Sequence, residues 1–210
     1  MKKYAVKEIF GPTIQGEGSR SGKVVSFLRF AGCNKWSGRK EDKADSVCSF
    51  CDTDFVGGKI LTAHEIRLAL KKIGCETVVV SGGEAMLQLD AELVNTLSCE
   101  FELHVETNGS ISREKLKGIV LPAAIYYSMS PKQPIEQTRL DHCRDLKILF
   151  PYIHKDITIE KFSKFNHFNG FLQPIEDENY KSNLEGAIQE LYKHPSWGLS
   201  LQLHKLIGVE

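Results

Sequence analysis

The residues best suited to chemistry gather first in a stretch that follows no regular period. Cys33, Cys48 and Cys51 lie between Ala31 and Gly58, a segment with neither helical nor strand spacing. Irregular stretches of that length in compact domains are usually functional. Cys48-Ser49-Phe50-Cys51 is a C-x2-C pair, able to bring two thiolates onto one metal or cluster. Three chemistries compete. Structural zinc asks for four ligands, and the fourth would be Cys75 or a histidine such as His64, neither at a characteristic spacing. A thioredoxin-like pair asks for a strand-to-helix junction, whereas Asp52-Thr53-Asp54-Phe55 and Gly57-Gly58 follow here. An iron–sulfur cubane on three thiolates would leave one iron open to a small molecule. The C-x2-C pair alone does not choose among them. Cys75, Cys99 and Cys143 stand apart and read as small buried apolar residues.

Five polar motifs close strand-like runs. Gln15-Gly16-Glu17-Gly18 precedes one strand and reads by default as a hairpin turn. Ser81-Gly82-Gly83-Glu84 follows a β-branched run; paired glycines there admit a ligand close to the backbone, and Glu84 would accept hydrogen bonds from an amine. Glu106-Thr107-Asn108-Gly109, Ser130-Pro131-Lys132 and Gln173-Pro174 end three more runs, Asn-Gly being a common turn pair. Parallel α/β folds bind ligands at the carboxyl ends of their strands. Arg29 stands in an otherwise apolar run and is either on an exposed edge or a ligand for an anion.

These motifs need a scaffold, and the chain alternates strand and helix patterns. Val24–Phe30 and Thr77–Ser81 read as strands, the second as a buried parallel one. Thr62-Ala63-His64-Glu65 is a capping box ahead of Ile66, Ala69, Leu70 and Ile73, with Gly74 as the stop. Asp90 caps a helix carrying Leu93, Val94 and Leu97. Phe101–Val105, Ile125–Ser130, Leu146–Phe150 and Phe168–Gln173 read as further strands. Ser182-Asn183-Leu184-Glu185 is a second capping box, and Leu199, Leu201 and Leu203 alternate as a last strand ending at His204. His64 reads as exposed, and His104 alternates opposite the apolar face of its strand. The β-then-α order implies a parallel sheet covered by helices.

The 210 residues favour one domain over 1–210, with a cluster-binding excursion at about 31–58. Lys+Arg and Asp+Glu are both 27, so the chain lacks the general charge of a nucleic-acid binder. No apolar run reaches the ~18 residues of a membrane span. No secretory leader is legible in Met1–Glu8. The expectation is a cytoplasmic protein, where six cysteines ask for a metal or redox explanation first. No Ser/His/Asp arrangement supports hydrolysis.

Taken together, these motifs resemble the radical S-adenosylmethionine enzymes, and within them the 7-carboxy-7-deazaguanine synthase family. The likeness runs over almost the whole chain, through Lys7-Glu8-Ile9-Phe10, Ile14–Gly18, Arg29–Asn34, Cys48–Asp54, Ser81–Glu84, Glu106–Gly109, Ser130–Lys132 and Gln173-Pro174. The superfamily's usual first cysteine gap is three residues, and here it is fourteen. One subgroup carries that longer insertion, and Trp36-Ser37-Gly38-Arg39 resembles it. Ala85 stands where Pro usually follows Gly-Gly-Glu.

The resemblance implies a modified, incomplete TIM-like (β/α) barrel and a homodimer. It implies a 4Fe-4S cluster, S-adenosyl-L-methionine and Mg2+. The substrate it implies is 6-carboxy-5,6,7,8-tetrahydropterin, ring-contracted by radical chemistry to 7-carboxy-7-deazaguanine with loss of ammonia. By the same likeness Cys33, Cys48 and Cys51 hold the cluster. Phe50, Cys51, Asp52, Gly83, Ser130, Pro131, Lys132, Gln173, Pro174, Ile175 and Glu176 hold S-adenosylmethionine. Ile14, Gln15, Gly16, Arg29, Ser81 and the terminal Glu210 meet the substrate, and Thr53 meets Mg2+. The excursion either docks a flavodoxin-type electron donor or covers the cluster. A glycyl-radical-enzyme activase is the rival within the superfamily, though Cys75, Cys99 and Cys143 lack the spacing of added ferredoxin-like clusters. A zinc-binding interaction module is the rival outside it, and would not need the polar strand ends.

Overall fold

A computed structural model describes residues 2–120 and 125–209. Its elements run β1 (Lys3–Ile14), β2 (Val24–Phe30), β3 (Lys59–Thr62), α1 (Ala63–Ile73), β4 (Thr77–Gly82), α2 (Ala91–Leu97) and β5 (Glu102–Thr107). There follow β6 (Ile125–Met129), β7 (Cys143–Phe150), α3 (Ile159–Phe162), β8 (His167–Pro174), α4 (Tyr180–Lys193), β9 (Gly198–Leu199) and α5 (Leu203–Ile207). The strands form one sheet in the order β3-β1-β2-β4-β5-β6-β7-β8-β9. β1 pairs antiparallel with β2 and β3, and every pairing from β2 to β9 is parallel. The architecture is α/β and TIM-like, but open: β3 and β9 are edges and do not pair with each other.

The periodicities explain most of this. Val78, Val79 and Val80 are all buried, as a strand covered on both faces requires. The capping box on α1 forms: Glu65 N–H donates to Thr62 Oγ1 at 3.3 Å, and Thr62 N–H to Glu65 Oε2 at 2.8 Å. Gly74 ends the helix in the left-handed region, φ 84°. Ile66, Leu70, Leu93, Val94 and Leu97 join a core with Leu28, Leu103 and Leu146 on the outer side of the sheet. No helix among the described residues is long and apolar enough to cross a membrane.

Four expectations are corrected. Ser182 does not cap a helix. α4 begins two residues earlier after Asn179, and Asn183 instead donates to Ile175 O and Asp177 Oδ1 at 2.9 and 3.0 Å. The terminal leucines do not form a strand past Leu199. Leu203 N–H donates to Gly16 O at 3.0 Å, and the chain turns there into α5, so His204 is helical. Arg29 is not on an edge, because β2 lies between β1 and β4. Cys99 is exposed and Cys75 only half-buried, whereas Cys143 is buried as expected.

Asp90 ties the N-terminus to α2. Its Oδ1 accepts from Leu93 N–H at 3.0 Å and from the hydroxyl of fully buried Tyr4 at 2.9 Å, and its Oδ2 pairs with Lys2. Burial would raise the Asp90 carboxyl, but these donors hold it below the usual range. Asp90→Ala removes a cap and strands the Tyr4 hydroxyl, and is expected to cost about 2–4 kcal/mol in urea denaturation; Asp90→Asn, which keeps an acceptor, costs less. A lowered folded-state pKa gives stability that is present above the unfolded value near 4 and is lost as pH falls through the folded one. The stability of Asp90→Asn is therefore expected to decline less steeply than wild type in that acid window.

Candidate functional site

The carboxyl ends of β2 and β4 to β8 open into one chamber of about 490 Å³. Cys33, Cys48 and Cys51 all face it. The excursion that carries them is stitched to the strand ends. Gly32 N–H donates to Phe55 O at 3.0 Å, Glu84 N–H to Gly32 O at 3.1 Å, and Asn108 Nδ2 to Asn34 Oδ1 at 3.0 Å. Phe55 is buried, with Trp36 edge-on to its ring at 5.4 Å. Cys48-Ser49-Phe50-Cys51 lies in a turn, with Cys51 N–H bonded to Cys48 O at 2.8 Å. It is not at the strand-to-helix junction that a thioredoxin-like pair requires.

Among the described residues, the triad of ligating side chains whose ligand atoms come within 4.8 Å of one another is Glu160, Glu190 and His194, well away from this chamber. The three thiols do not form such a triad. Burial pushes the Cys48 thiol up to about 11, and the neighbouring thiols Cys51 and Cys33 add to it. Burial also raises Cys51, against donation from Thr53. Three thiols on one chamber wall fit a cluster that takes them as thiolates and neutralises that repulsion. Gly83 lets the Gly32–Cys33 backbone approach: a Cβ there would meet Gly32 O at 2.4 Å and Cys33 Cβ at 2.6 Å.

A polar wall faces the thiols. Glu106 Oε1 accepts from Gln15 Nε2 at 3.2 Å and its Oε2 from Ser81 Oγ at 3.1 Å. Arg29 Nε sits 2.7 Å from Glu8 Oε1 as an ion pair without hydrogen-bond alignment, and the guanidinium lies 5.5 Å over the Phe10 ring. Deeper in, Lys147 pairs with Glu17, which also accepts from Gln202 Nε2 at 3.0 Å. Burial would lower Lys147, but the Glu17 and Glu106 carboxylates raise it instead. Burial would raise Glu17, but the Lys147 ammonium holds it down. Lys132 donates to Ser130 O and Oγ at 2.9 and 2.7 Å and lies 5.9 Å over the Phe50 ring.

Most residues expected from the sequence meet in this chamber. Ile14, Gln15, Arg29 and Ser81 are on its wall. Phe50, Cys51, Asp52, Thr53, Gly83, Ser130 and Lys132 surround the thiol side, and Gln173, Pro174, Ile175 and Glu176 close the β8 side. Gly16 is set back behind His204, whose Nδ1 would lie 1.9 Å from a Cβ at that position. Pro131 is buried beside the chamber rather than on its wall. Glu210 lies outside the described residues.

Glu84 follows the plainer of its two readings, a strand-to-helix turn. It is buried off the chamber wall, and its carboxylate accepts from Thr107 Oγ1 and Asn108 N–H, both at 2.7 Å, and Met86 N–H at 2.9 Å. Burial raises its carboxyl despite these bonds. Sequence reasoning did not place Glu106, Glu17, Lys147, Gln202 or His204 in the site. An ammonium inside the apolar run Leu146–Phe150 was the available signal for Lys147. His204 stood out as the one histidine at the end of an expected strand, whereas nothing local marked Gln202.

No family model matches the chain. It is 38% identical to the 7-carboxy-7-deazaguanine synthase of Caulobacter vibrioides, over 98% of this chain and 99% of that protein. It is likewise 38% identical to the protein of that name from Bordetella pertussis, with the same coverage. To that from Bacteroides thetaiotaomicron it is 34% identical, over 97% of both chains. The crystal structure of QueE from Escherichia coli superposes with a TM-score of 0.70 over 96% of this chain and 95% of that one, at 20% identity.

Gly83→Ala tests the close approach beneath the thiols. The added Cβ must push the Gly32–Cys33 backbone away, a local strain of about 1–3 kcal/mol. The expected result is an intact fold by circular dichroism with a clear fall in iron bound per chain after anaerobic reconstitution. Unchanged iron content would show that the Gly32–Cys33 path does not govern metal loading.

Proposed function

Because the chain belongs to the 7-carboxy-7-deazaguanine synthase family, we propose that it converts 6-carboxy-5,6,7,8-tetrahydropterin to 7-carboxy-7-deazaguanine with loss of ammonia. It is a radical S-adenosylmethionine lyase of deazapurine and queuosine biosynthesis. The observation that carries this reading is the meeting of three thiols with the Arg29–Gln15–Ser81–Glu106 wall in one chamber at the strand ends.

Cys33, Cys48 and Cys51 would hold a 4Fe-4S cluster. When bound beside S-adenosylmethionine, the cluster would supply one-electron reducing chemistry to that cofactor. The chain's own residues then bind, orient and exclude water. The strand-end groups of β4, β6 and β8 (Gly83, Ser130–Lys132 and Gln173–Glu176) would cradle the cofactor with Phe50, Cys51 and Asp52. Arg29 would meet the substrate carboxylate with its guanidinium fork, exchanging Glu8 for that anion. Ile14, Gln15, Gly16 and Ser81 would orient the pterin, and Glu106, already bonded to Gln15 and Ser81, fixes both. Glu210 at the chain's end would complete the substrate contacts.

Thr53 would give Mg2+ one hydroxyl, which suits a hard ion that keeps several waters. One domain over 1–210, a homodimer, a flavodoxin-type electron donor and a cytoplasmic setting complete the reading, supported by the family likeness.

The test is anaerobic reconstitution, dithionite reduction, and addition of S-adenosylmethionine, pterin and Mg2+. Expected are a reduced 4Fe-4S EPR signal that shifts with S-adenosylmethionine, deazaguanine product by mass, and loss of turnover on Mg2+ chelation. Arg29→Ala is expected to raise KM for the pterin about tenfold to a hundredfold, the worth of a charge-assisted fork, while leaving the EPR shift intact. Cofactor cleavage without deazaguanine would assign another radical reaction. Stoichiometric zinc and no cluster would overturn the reading.

A further inference from the structure

The segment from Ser200 to Val209 crosses the chamber mouth, and Gln202, His204 and Val209 form part of its wall. Yet α5 buries none of its residues, and Leu206 and Ile207 are 60% and 51% exposed. Apolar burial, the usual anchor of a helix, does not hold it in place. Polar ties do. On the inner side Leu203 N–H donates to Gly16 O, and Gln202 reaches Glu17. On the outer side Lys205 Nζ meets Asp52 Oδ2, Glu176 Oε2 at 3.0 Å and Gln202 Oε1 at 3.1 Å.

The outer tie joins walls that are otherwise separate. Asp52 follows the last thiol of the excursion, and Glu176 lies just beyond β8. One ammonium within reach of both means that the two carboxylates face each other across the mouth. Without it, like charges confront each other there. Both pairs are partly exposed, with Lys205 at 32%, Asp52 at 54% and Glu176 at 36%. Each is therefore weak and screened by salt. A clip of that strength opens and recloses readily, as access to a chamber requires.

We propose that Lys205 is a positioning residue: it clips the C-terminal segment to the thiol loop and to the β8 end, and so closes the chamber over the substrate. The clip rests on the reading of this chamber as the site of pterin turnover. It acts through Gln202, His204 and Val209 and touches none of the reacting atoms. It also makes closure follow the state of the thiol loop, because Asp52 is in place only when that loop is.

The test compares wild type, Lys205→Ala and Lys205→Arg as reconstituted enzyme, by amide hydrogen exchange of residues 200–209 and by steady-state kinetics at low and high salt. Lys205→Ala is expected to speed exchange at Leu203 and across α5 about five- to tenfold, the scale of two exposed ion pairs and a relieved repulsion. It should raise KM for the pterin by a similar factor with kcat changed less than about twofold. Added salt should raise KM more in wild type than in Lys205→Ala, and Lys205→Arg should restore both readouts. Unchanged exchange in Lys205→Ala would overturn the clip. Faster exchange with an unchanged KM would overturn its part in substrate binding. A wild type that turns over no pterin would overturn the functional reading instead, and the exchange comparison would still decide whether Lys205 holds the segment.

Discussion

Lys147 and Glu17 meet inside a sheet that does not close on itself, and the chamber depends on their meeting. Leaving either charge buried alone costs about 3–5 kcal/mol, so β7 can point an ammonium inward only if the Gln15–Gly22 loop folds in to meet it. The loop is in turn held by partners on both sides of the opening. Ser19 N–H and Oγ donate to Asp145 Oδ2 at 2.9 and 2.7 Å, and Gly18 N–H donates to Ser200 Oγ at 3.0 Å. Arg20 pairs with Glu102 on β5. The loop after β1 thus reaches β5, β7 and the segment after β9, spanning the gap that strand pairing leaves. A ladder of hydrogen bonds would have closed the barrel more tightly.

The thiol side uses a different solution to a similar problem. Parallel strands end level with one another and leave terminal backbone groups without ladder partners. At the ends of β4 and β5 the Glu84 carboxylate supplies that partner to Asn108 N–H and Met86 N–H. The two strand ends are thereby locked, and the Gly82-Gly83 turn becomes a rigid floor. A Cβ at Gly82 would meet Phe30 O at 2.4 Å, and its φ of 143° already excludes most side chains. The excursion can then lie directly on backbone. Its irregular chain has little apolar burial beyond Phe55 and Cys48, so its placement comes from that floor rather than from a core of its own.

What the sequence makes legible follows from range. The capping box at Thr62, the cap at Asp90 and the run Val78–Val80 are local, and each appears as read. β1 escaped because its apolar positions mix with polar ones, and its pairing with β2 shifts register twice; no clean period survives. Glu84 was placed correctly at a strand end with its role left open, because spacing does not say whether a carboxylate faces the chamber or the neighbouring strand. Leu199, Leu201 and Leu203 alternate as a strand would, yet a single bond to Gly16 far earlier in the chain turns them aside. The cysteines, Arg29 and the glycine pairs were legible because their chemistry is unusual in place. Gln202 was not, since only the folded path of the tail brings it to the wall.

The charges of the chamber bear on how it selects an anion. The chain as a whole carries 27 basic and 27 acidic side chains, so no net field draws a carboxylate in from a distance. Within the wall Arg29 is paired with Glu8 and Lys147 with Glu17, while Lys132 is bonded to neutral Ser130 and Lys35 also lines the chamber. An anion that enters at Arg29 or Lys147 must displace a carboxylate. The cost of that exchange differs sharply between the two. Glu17 is buried and bonded to Gln202, and releasing it would leave a carboxylate uncompensated. Glu8 is 37% exposed, and water can solvate it once Arg29 turns away. Of the two paired cations, Arg29 gives up its carboxylate more cheaply, and it stands on the same wall as Gln15, Ser81 and Glu106. Selection then rests on fitting that wall: a ligand gains the guanidinium only if the rest of its frame satisfies the neighbouring amide, hydroxyl and carboxylate at the same time.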